Sequence, residues 1–242
     1  MVALLTVAII GCGGSGTTTT TNAYTGFYAG DYASRADSGY VVFQVKPDGN
    51  ADIRVTDTTF GELTGTGTVS SSGVITGTAT SPGSTPGGPK TVTVSATITG
   101  SGATTVVNVT IGGAFTASIT DGGLIISGTA SPFARTYTGS YEVRSGGPDG
   151  VGTFTMVISA NGTIAVTAII DGETATGTGT MSSTGATTAS ASGGGTGVNE
   201  SVTFTGGAEL LKTPEGWELN LSGTWESTSG SKGDWSTNTI VL

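Results

Sequence analysis

Gly39-Tyr-Val-Val-Phe-Gln-Val-Lys-Pro-Asp-Gly49 leads into Ala51-Asp-Ile-Arg-Val55, and 113 positions further on Gly152-Thr-Phe-Thr-Met-Val-Ile-Ser-Ala-Asn-Gly162 leads into Thr163-Ile-Ala-Val-Thr167. Each stretch reads as a β-hairpin. Asp48-Gly49 and Asn161-Gly162 are dipeptides that tolerate positive φ, and apolar residues alternate on either side of them. Val41, Phe43 and Val45 share one face, and the same offset lands on Phe154, Met156 and Ile158, so the apolar face is kept. Tyr24-Thr-Gly-Phe-Tyr28 is matched with Tyr137-Thr-Gly-Ser-Tyr141, Thr64-Gly-Thr-Gly-Thr-Val69 with Thr176-Gly-Thr-Gly-Thr-Met181, and Ser127-Gly-Thr129 with Ser222-Gly-Thr224. A period above a hundred residues suits a duplicated domain, not a solenoid unit.

Composition agrees with an all-β chain. Of 242 residues, 43 are Gly and 48 are Thr, while charged residues reach only 10%. That excludes long helices, coiled coils and charge-driven disorder. Strands are expected every ten to thirteen residues, in the first copy near 24–30, 39–46, 51–57, 62–70, 73–79, 91–99, 103–111, 113–120 and 123–130. Runs such as Thr91-Val-Thr-Val-Ser-Ala-Thr-Ile-Thr99 put one face in water. Short turns at Ser72-Gly73, Gly100-Ser-Gly102, Asp121-Gly122 and Pro214-Glu-Gly216 make neighbours antiparallel. The reading is two tandem homologous antiparallel meanders over 23–135 and 136–242, each closed into a small β-barrel of eight strands or so, with sandwiches or one composite sheet as the alternative. Closure removes the edges along which Thr- and Val-rich strands aggregate. Strands of seven to nine residues and 7% aromatics argue against an outer-membrane barrel.

The chain has no His and one Cys, which excludes Ser/His and Cys/His catalysis, His-ligated zinc and intrachain disulfides. The net charge of −9 repels phosphate backbones, and the eight basic residues are scattered, so nucleic acid is not an expected partner. The start, Met1-Val-Ala-Leu-Leu-Thr-Val-Ala-Ile-Ile-Gly-Cys12, is too short to cross a bilayer. Its end, Ile9-Ile10-Gly11-Cys12, resembles the lipobox of bacterial lipoproteins. The resemblance implies a signal peptide over 1–11, a lipidated Cys12 as the mature N-terminus, and attachment to the bacterial cell envelope, at the outer membrane, its periplasmic face or the cell surface. The basic n-region of a secretory signal is missing here. The Gly/Ser/Thr tract over 12–22 has the composition of a flexible tether.

Chemical motifs are sparse. Asp48-Gly-Asn-Ala-Asp52 begins like a calcium loop, but Ile53 replaces the Gly and Thr59 the Glu that such a loop needs. Gly83-Ser-Thr-Pro-Gly-Gly88-Pro-Lys-Thr91 resembles a phosphate loop spoiled by Pro89. Ser229-Gly-Ser-Lys232 has acyl-enzyme spacing without the helix that spacing needs. Asp171 with Glu173 and Glu215 with Glu218 are the carboxylate pairs a hydrolase could use, and both suit ordinary hairpins better. Trp217, Leu219, Leu221 and Trp225 share parity and form a core face. Trp235, after a Gly-rich loop, is the candidate exposed aromatic for stacking on a flat ligand. The four Tyr at 24, 28, 137 and 141 seal the domain entrances, and the irregular stretches 81–90 and 193–199 are the candidate specificity loops. No catalytic residue, metal ligand or cofactor is assigned. The expected function is a lipid-anchored, non-catalytic binding or structural module with a glycan, protein or small apolar ligand as partner. A barrel carrier of an apolar ligand and a carboxylate hydrolase are the alternatives.

Overall fold

The computed structural model describes residues 22–33, 38–83, 88–129, 131–145, 151–170, 173–195 and 198–242. The signal segment, Cys12, most of the tether, Asp171 and parts of both candidate loops lie outside them.

Eight strands close the first barrel in sequence order: β1 Gly26–Ala33, β2 Ser38–Val45, β3 Asn50–Asp57, β4 Gly61–Val69, β5 Val74–Thr80, β6 Thr91–Thr99, β7 Val106–Gly113 and β8 Ala117–Ser127. A 3-10 turn at Ser131–Phe133 leads into the second: β9 Arg135–Ser145, β10 Val151–Ile158, β11 Thr163–Ile170, β12 Glu173–Met181, β13 Thr187–Gly195, β14 Val198–Thr213, β15 Gly216–Ser227 and β16 Lys232–Thr237. Pairing of β16 with β9 and of β14 with β15 closes it, and a two-residue β17, Ile240–Val241, adds to the far end of β15. The fold is therefore two tandem antiparallel eight-stranded barrels.

The duplicated hairpins carry duplicated turns. Gly49 N donates to Lys46 O and Gly162 N to Ser159 O, each with φ of 83° at the glycine, where a side chain would be strained. The Asx oxygens of Asp48 and Asn161 each accept from the backbone amide two residues on, at 3.0 Å. Inside, Val41, Phe43 and Val45 meet Ile53, Val55 and Leu63, and the equivalent Phe154, Met156 and Ile158 meet Val166 and Ala168, all buried.

Glycines make room for the largest interior rings. Gly39 pairs with Tyr32, whose hydroxyl would lie 2.6 Å from any Cβ there, and Gly152 pairs with Tyr141 in the same way. A Cβ on Gly206 would come within 2.5 Å of the Trp235 indole. Small residues facing large ones fill the taper of so narrow a barrel.

Three expectations are corrected. The strands expected near 113–120 and 123–130 are one eleven-residue strand, β8, with a bulge between Ile119, paired with Val109, and Gly122, paired with Val107, so that Asp121-Gly122 stays in the strand and makes no turn. The first-strand repeat is offset by 109, not 113. Tyr28 pairs with Phe43 and Tyr137 with Met156, so Tyr28-Ala-Gly-Asp-Tyr32 is the counterpart of Tyr137-Thr-Gly-Ser-Tyr141; the stretch from the second Tyr to its paired glycine, Tyr32 to Gly39 and Tyr141 to Gly152, is four residues longer in the second copy. The Ser127 and Ser222 triplets fall on non-equivalent strands, β8 and β15.

Candidate functional site

The strand pattern leaves one apolar surface outside a barrel. In the first barrel Tyr28, Gly30 and Tyr32 face inward, so Phe27 and Ala29 face out, and so do Tyr40 and Val42 on β2. Phe27, Ala29, Val42 and Ile126 are nevertheless buried, because the second barrel covers them. The cover comes largely from the β14–β15 hairpin, which overshoots its own barrel. Ala208, Leu210, Trp217, Leu219 and Leu221 continue the inward face of that barrel and join its core to the outer face of the first. Phe27 meets Phe133 edge-on at 6.3 Å, and Tyr40 meets Trp217 edge-on at 5.6 Å.

Polar contacts fix the docking. The Arg54 guanidinium donates to Glu209 Oε1 and to the Leu210 carbonyl, with Glu62 Oε2 3.8 Å away. Gln44 Nε2 donates to Thr184 O, and Lys212 Nζ lies 3.5 Å from Asp31 and 4.9 Å from the Trp217 ring centre. Each ion pair has at least one exposed member, so these contacts set orientation more than they stabilise.

Where the two surfaces part, they leave a cleft of about 520 Å³. Phe27, Val42 and Leu210 form an apolar floor, Thr64 and Thr66 one wall, and Asp52, Glu62 and Glu209 sit around Arg54. An apolar hollow with a few convergent polar groups at a domain seam is the usual form of a ligand site. Other grooves of about 410–530 Å³ cross the barrel walls. One contains Glu142 and Asp234, opposite each other on β9 and β16. Asp234 is engaged by Arg144, so that pair is a surface ion network and not two carboxyls facing across a substrate gap.

The expectation of an exposed Trp235 is corrected. Its indole is 2% exposed, and Nε1 donates to the Thr205 and Thr224 carbonyls at 3.1 Å. Strand parity explains this: Gly233, Trp235 and Thr237 point into the barrel, where Gly206 leaves space for the ring. Trp225 and Leu219 lie in the core as expected, while Trp217 packs at the seam. Tyr28 and Tyr137 donate to the carbonyls of Tyr24 and Phe133, four residues upstream, and so fix the start of each barrel. Burial pushes both hydroxyls up to about 12, with Tyr24 adding to the rise at Tyr28.

The Asp48 motif is a turn. Backbone and side-chain hydrogen bonds from Asn50 hold its carboxyl below the ordinary range, and Asp52 is paired to Lys46 at 2.8 Å. Ser229 lies in the β15–β16 hairpin, while Lys232 pairs with Glu226 across it. Glu218 accepts from the Thr213 hydroxyl. Val41, Phe43, Val45, Val55, Leu63 and Met156 have no surface reachable by water, which leaves no void beside them and argues against a ligand inside either barrel. Arg54, Glu62 and Glu209 had no sequence motif. The available signal was the unbroken apolar run Tyr40-Val41-Val42-Phe43, where alternation calls for a polar residue at 42.

No family model matches the chain, and a comparison with curated proteins finds no match. Among solved structures it is similar to the Myxococcus xanthus hemagglutinin in complex with a3,a6-mannopentaose, at 17% identity over 89% of each chain. The TM-score is 0.18, too low to carry an argument about fold or function.

Proposed function

We propose that the chain is a lipid-anchored, non-catalytic recognition module of the bacterial cell envelope whose ligand lies in the cleft between its barrels. The observation that carries the reading is the cleft at the seam, where Arg54, Glu62 and Glu209 converge from both barrels beside the largely buried Phe27, Val42 and Leu210. The lipobox-like Ile9-Ile10-Gly11-Cys12 and the tether after it support the anchor. A scaffold of closed barrels suits this task, because it holds the cleft walls on rigid strands.

Two measurements test the two halves of the reading. Cys12→Ala moves the protein from the membrane to the soluble fraction, and unchanged attachment removes the anchor from the proposal. A photo-crosslinking amino acid at Thr64, in the cleft, yields a discrete adduct in intact cells, whereas the same probe at Thr97, on the outer face of β6, does not. Equal adducts at both positions, or none at either, refute the cleft as the site.

A further inference from the structure

We infer that the cleft and the wall beside it hold a linear, neutral glycan laid along β3, β4 and β5 of the first barrel; this rests on the cleft being the binding site. The cleft does not stop at the seam. A second groove, of about 530 Å³, shares Asp52 and Thr66 with it and runs on past Lys46, Asn50, Thr68, Thr76 and Thr78.

Strand register sets out the lining as three parallel rungs. Arg54 on β3 lies opposite Thr64 on β4, which lies opposite Thr80 on β5. Asp52, Thr66 and Thr78 make the second rung, and Asn50, Thr68 and Thr76 the third. These positions alternate with buried ones, so the side chains of all three rungs project from the outer face. Each rung sets a guanidinium, a carboxylate or an amide beside two hydroxyls on strands about 5 Å apart, and the rungs follow one another at roughly 7 Å along the strands. Thr64, Thr66, Thr68, Thr76 and Thr78 are exposed, and none of their hydroxyls is bonded to another described residue, whereas Thr80 is tied to Thr91 at 3.0 Å.

The second barrel shows what is particular to this wall. Its rungs are Thr167, Thr176 and Ser192, then Ala165, Thr178 and Ser190, then Thr163, Thr180 and Thr188. Both outer strands keep their hydroxyls, while the guanidinium, the carboxylate and the amide are all gone. Lys46, which pairs with Asp52 at 2.8 Å, becomes Ser159. Threonine is a favoured strand residue, so hydroxyls alone point to no ligand. The first copy adds the groups that turn a hydroxyl wall into a directional one.

The lining also selects the ligand class. Its ions are already matched, Lys46 with Asp52 and Arg54 with Glu62 and Glu209, so a ligand charged in either sense finds no unpaired partner. Every strand of the wall is paired on both sides, which leaves no edge for a peptide strand, and Phe27 and Val42 are buried under the second barrel, which leaves no floor for an apolar side chain. Matched ions, an amide and unengaged hydroxyls suit a ligand whose own hydroxyls donate and accept. Threonine methyls meet the C–H faces of its rings. Rings joined in a line repeat their hydroxyls as the rungs do, whereas a compact ligand reaches one rung only.

The test uses the full chain and fluorescent, β-linked oligomers of glucose, mannose, galactose and N-acetylglucosamine, each about six rings long so as to pass all three rungs. An oligogalacturonate of the same length is the charged control. At least one neutral oligomer is expected to bind, and the galacturonate to bind at least about tenfold more weakly. Lys46→Ser, Asn50→Thr and Asp52→Ala together give the first wall the residues that the folded second wall carries, and weaken binding at least about tenfold. Thr178→Val, on the second wall, leaves it unchanged. No binding by any neutral oligomer, equal binding of the galacturonate or by the triple variant, or equal loss from Thr178→Val overturns the glycan assignment. In cells a photo-crosslinker at Thr68, beyond the cleft, is expected to give the same adduct as one at Thr64. If the Thr64 adduct forms while Thr68 stays bare or the oligomers fail, the cleft stands and only the glycan falls. Without a Thr64 adduct the cleft falls, and the glycan with it.

Discussion

Val42→Asp tests whether the two barrels behave as one thermodynamic body. Val42 faces outward on β2 and is buried by the hairpin of the second barrel, beside Phe27 and Ile126. Full burial of one such side chain is worth roughly 1.5–3 kcal/mol, so the three together give a gross coupling of about 5–9 kcal/mol, less the ordering of the seam. A carboxylate at 42 brings a charge into a buried apolar contact and lies opposite Arg54, where it draws the guanidinium off Glu209 and the Leu210 carbonyl, the contacts that hold the second barrel. The inner faces of both barrels are untouched by the change, because Val41 and Phe43 point the other way. The expected outcome is therefore separation without unfolding. All three Trp lie in the second barrel, with Trp217 against Tyr40 at the seam, so indole fluorescence reports that barrel and its docking, whereas far-UV circular dichroism reports the strands of both barrels. In urea the native chain shows superimposed curves from the two probes, and Val42→Asp splits them. Curves already split in the native chain, or still superimposed in the variant, refute the coupling.

Trp235→Phe removes an N–H shared by the Thr205 and Thr224 carbonyls and leaves part of the space over Gly206 empty, a loss of about 2–4 kcal/mol measured by urea unfolding followed by circular dichroism. Gly39→Ala drives a methyl against the Tyr32 ring and a neighbouring backbone carbonyl, and should destabilise the first barrel by about 1–3 kcal/mol while indole fluorescence of the isolated native state is unchanged. Tyr28 and Tyr137 are raised to about 12 in the fold from an ordinary value of 10.0, so each contribution is fully present below pH 10 and is lost as the pH rises from 10 through 12. Tyr28→Phe and Tyr137→Phe should each remove a late step from the tyrosinate absorbance titration, and an alkaline denaturation curve should begin to fall near pH 10.

The hairpins were legible because their signals are local. Asp48-Gly49 and Asn161-Gly162 fix turns, and period-two alternation fixes faces whatever lies beyond. The eight-strand closure followed from turn spacing. The nine strands expected in the first copy became eight because Asp121-Gly122, a turn dipeptide by composition, was claimed by packing against β1 and β7 and became a bulge. The register of the first strand was misjudged because Tyr-x-Gly-x-Tyr nearly repeats within the first copy itself, from Tyr24 and again from Tyr28, and only cross-strand pairing chooses between them. Trp235 was misplaced for a similar reason: a Gly-rich loop before it suggested exposure, while the parity of Gly233, Trp235 and Thr237 decided burial. The cleft was least legible. Arg54, Glu62 and Glu209 are far apart in sequence and meet only because one barrel docks on the other, which no periodicity encodes.

The docking also shows how the two copies have diverged. The seam joins unlike surfaces, the outer β1–β2 face of the first barrel and the β14–β15 hairpin of the second, and a heterologous contact of that kind can in principle repeat without closing. Among the described residues each half occurs once. The positions equivalent to Phe27, Ala29, Tyr40 and Val42 are Thr136, Thr138, Thr153 and Thr155, hydroxyls where the first copy has apolar groups. The first copy's counterpart of the long hairpin, β6–β7, has strands of nine and eight residues, against sixteen and twelve, and does not overshoot its barrel. The remaining outer walls repeat a neutral pattern instead. Thr64, Thr66 and Thr68 on β4 face Thr80, Thr78 and Thr76 on β5, and these face Thr91, Thr93 and Ser95 on β6. The second barrel answers position for position with Thr176, Thr178 and Thr180, then Ser192, Ser190 and Thr188, then Ser201, Thr203 and Thr205. The divergence of the copies thus put the apolar outer face on β1–β2 of the first and the long hairpin on β14–β15 of the second, and the seam forms where the two meet.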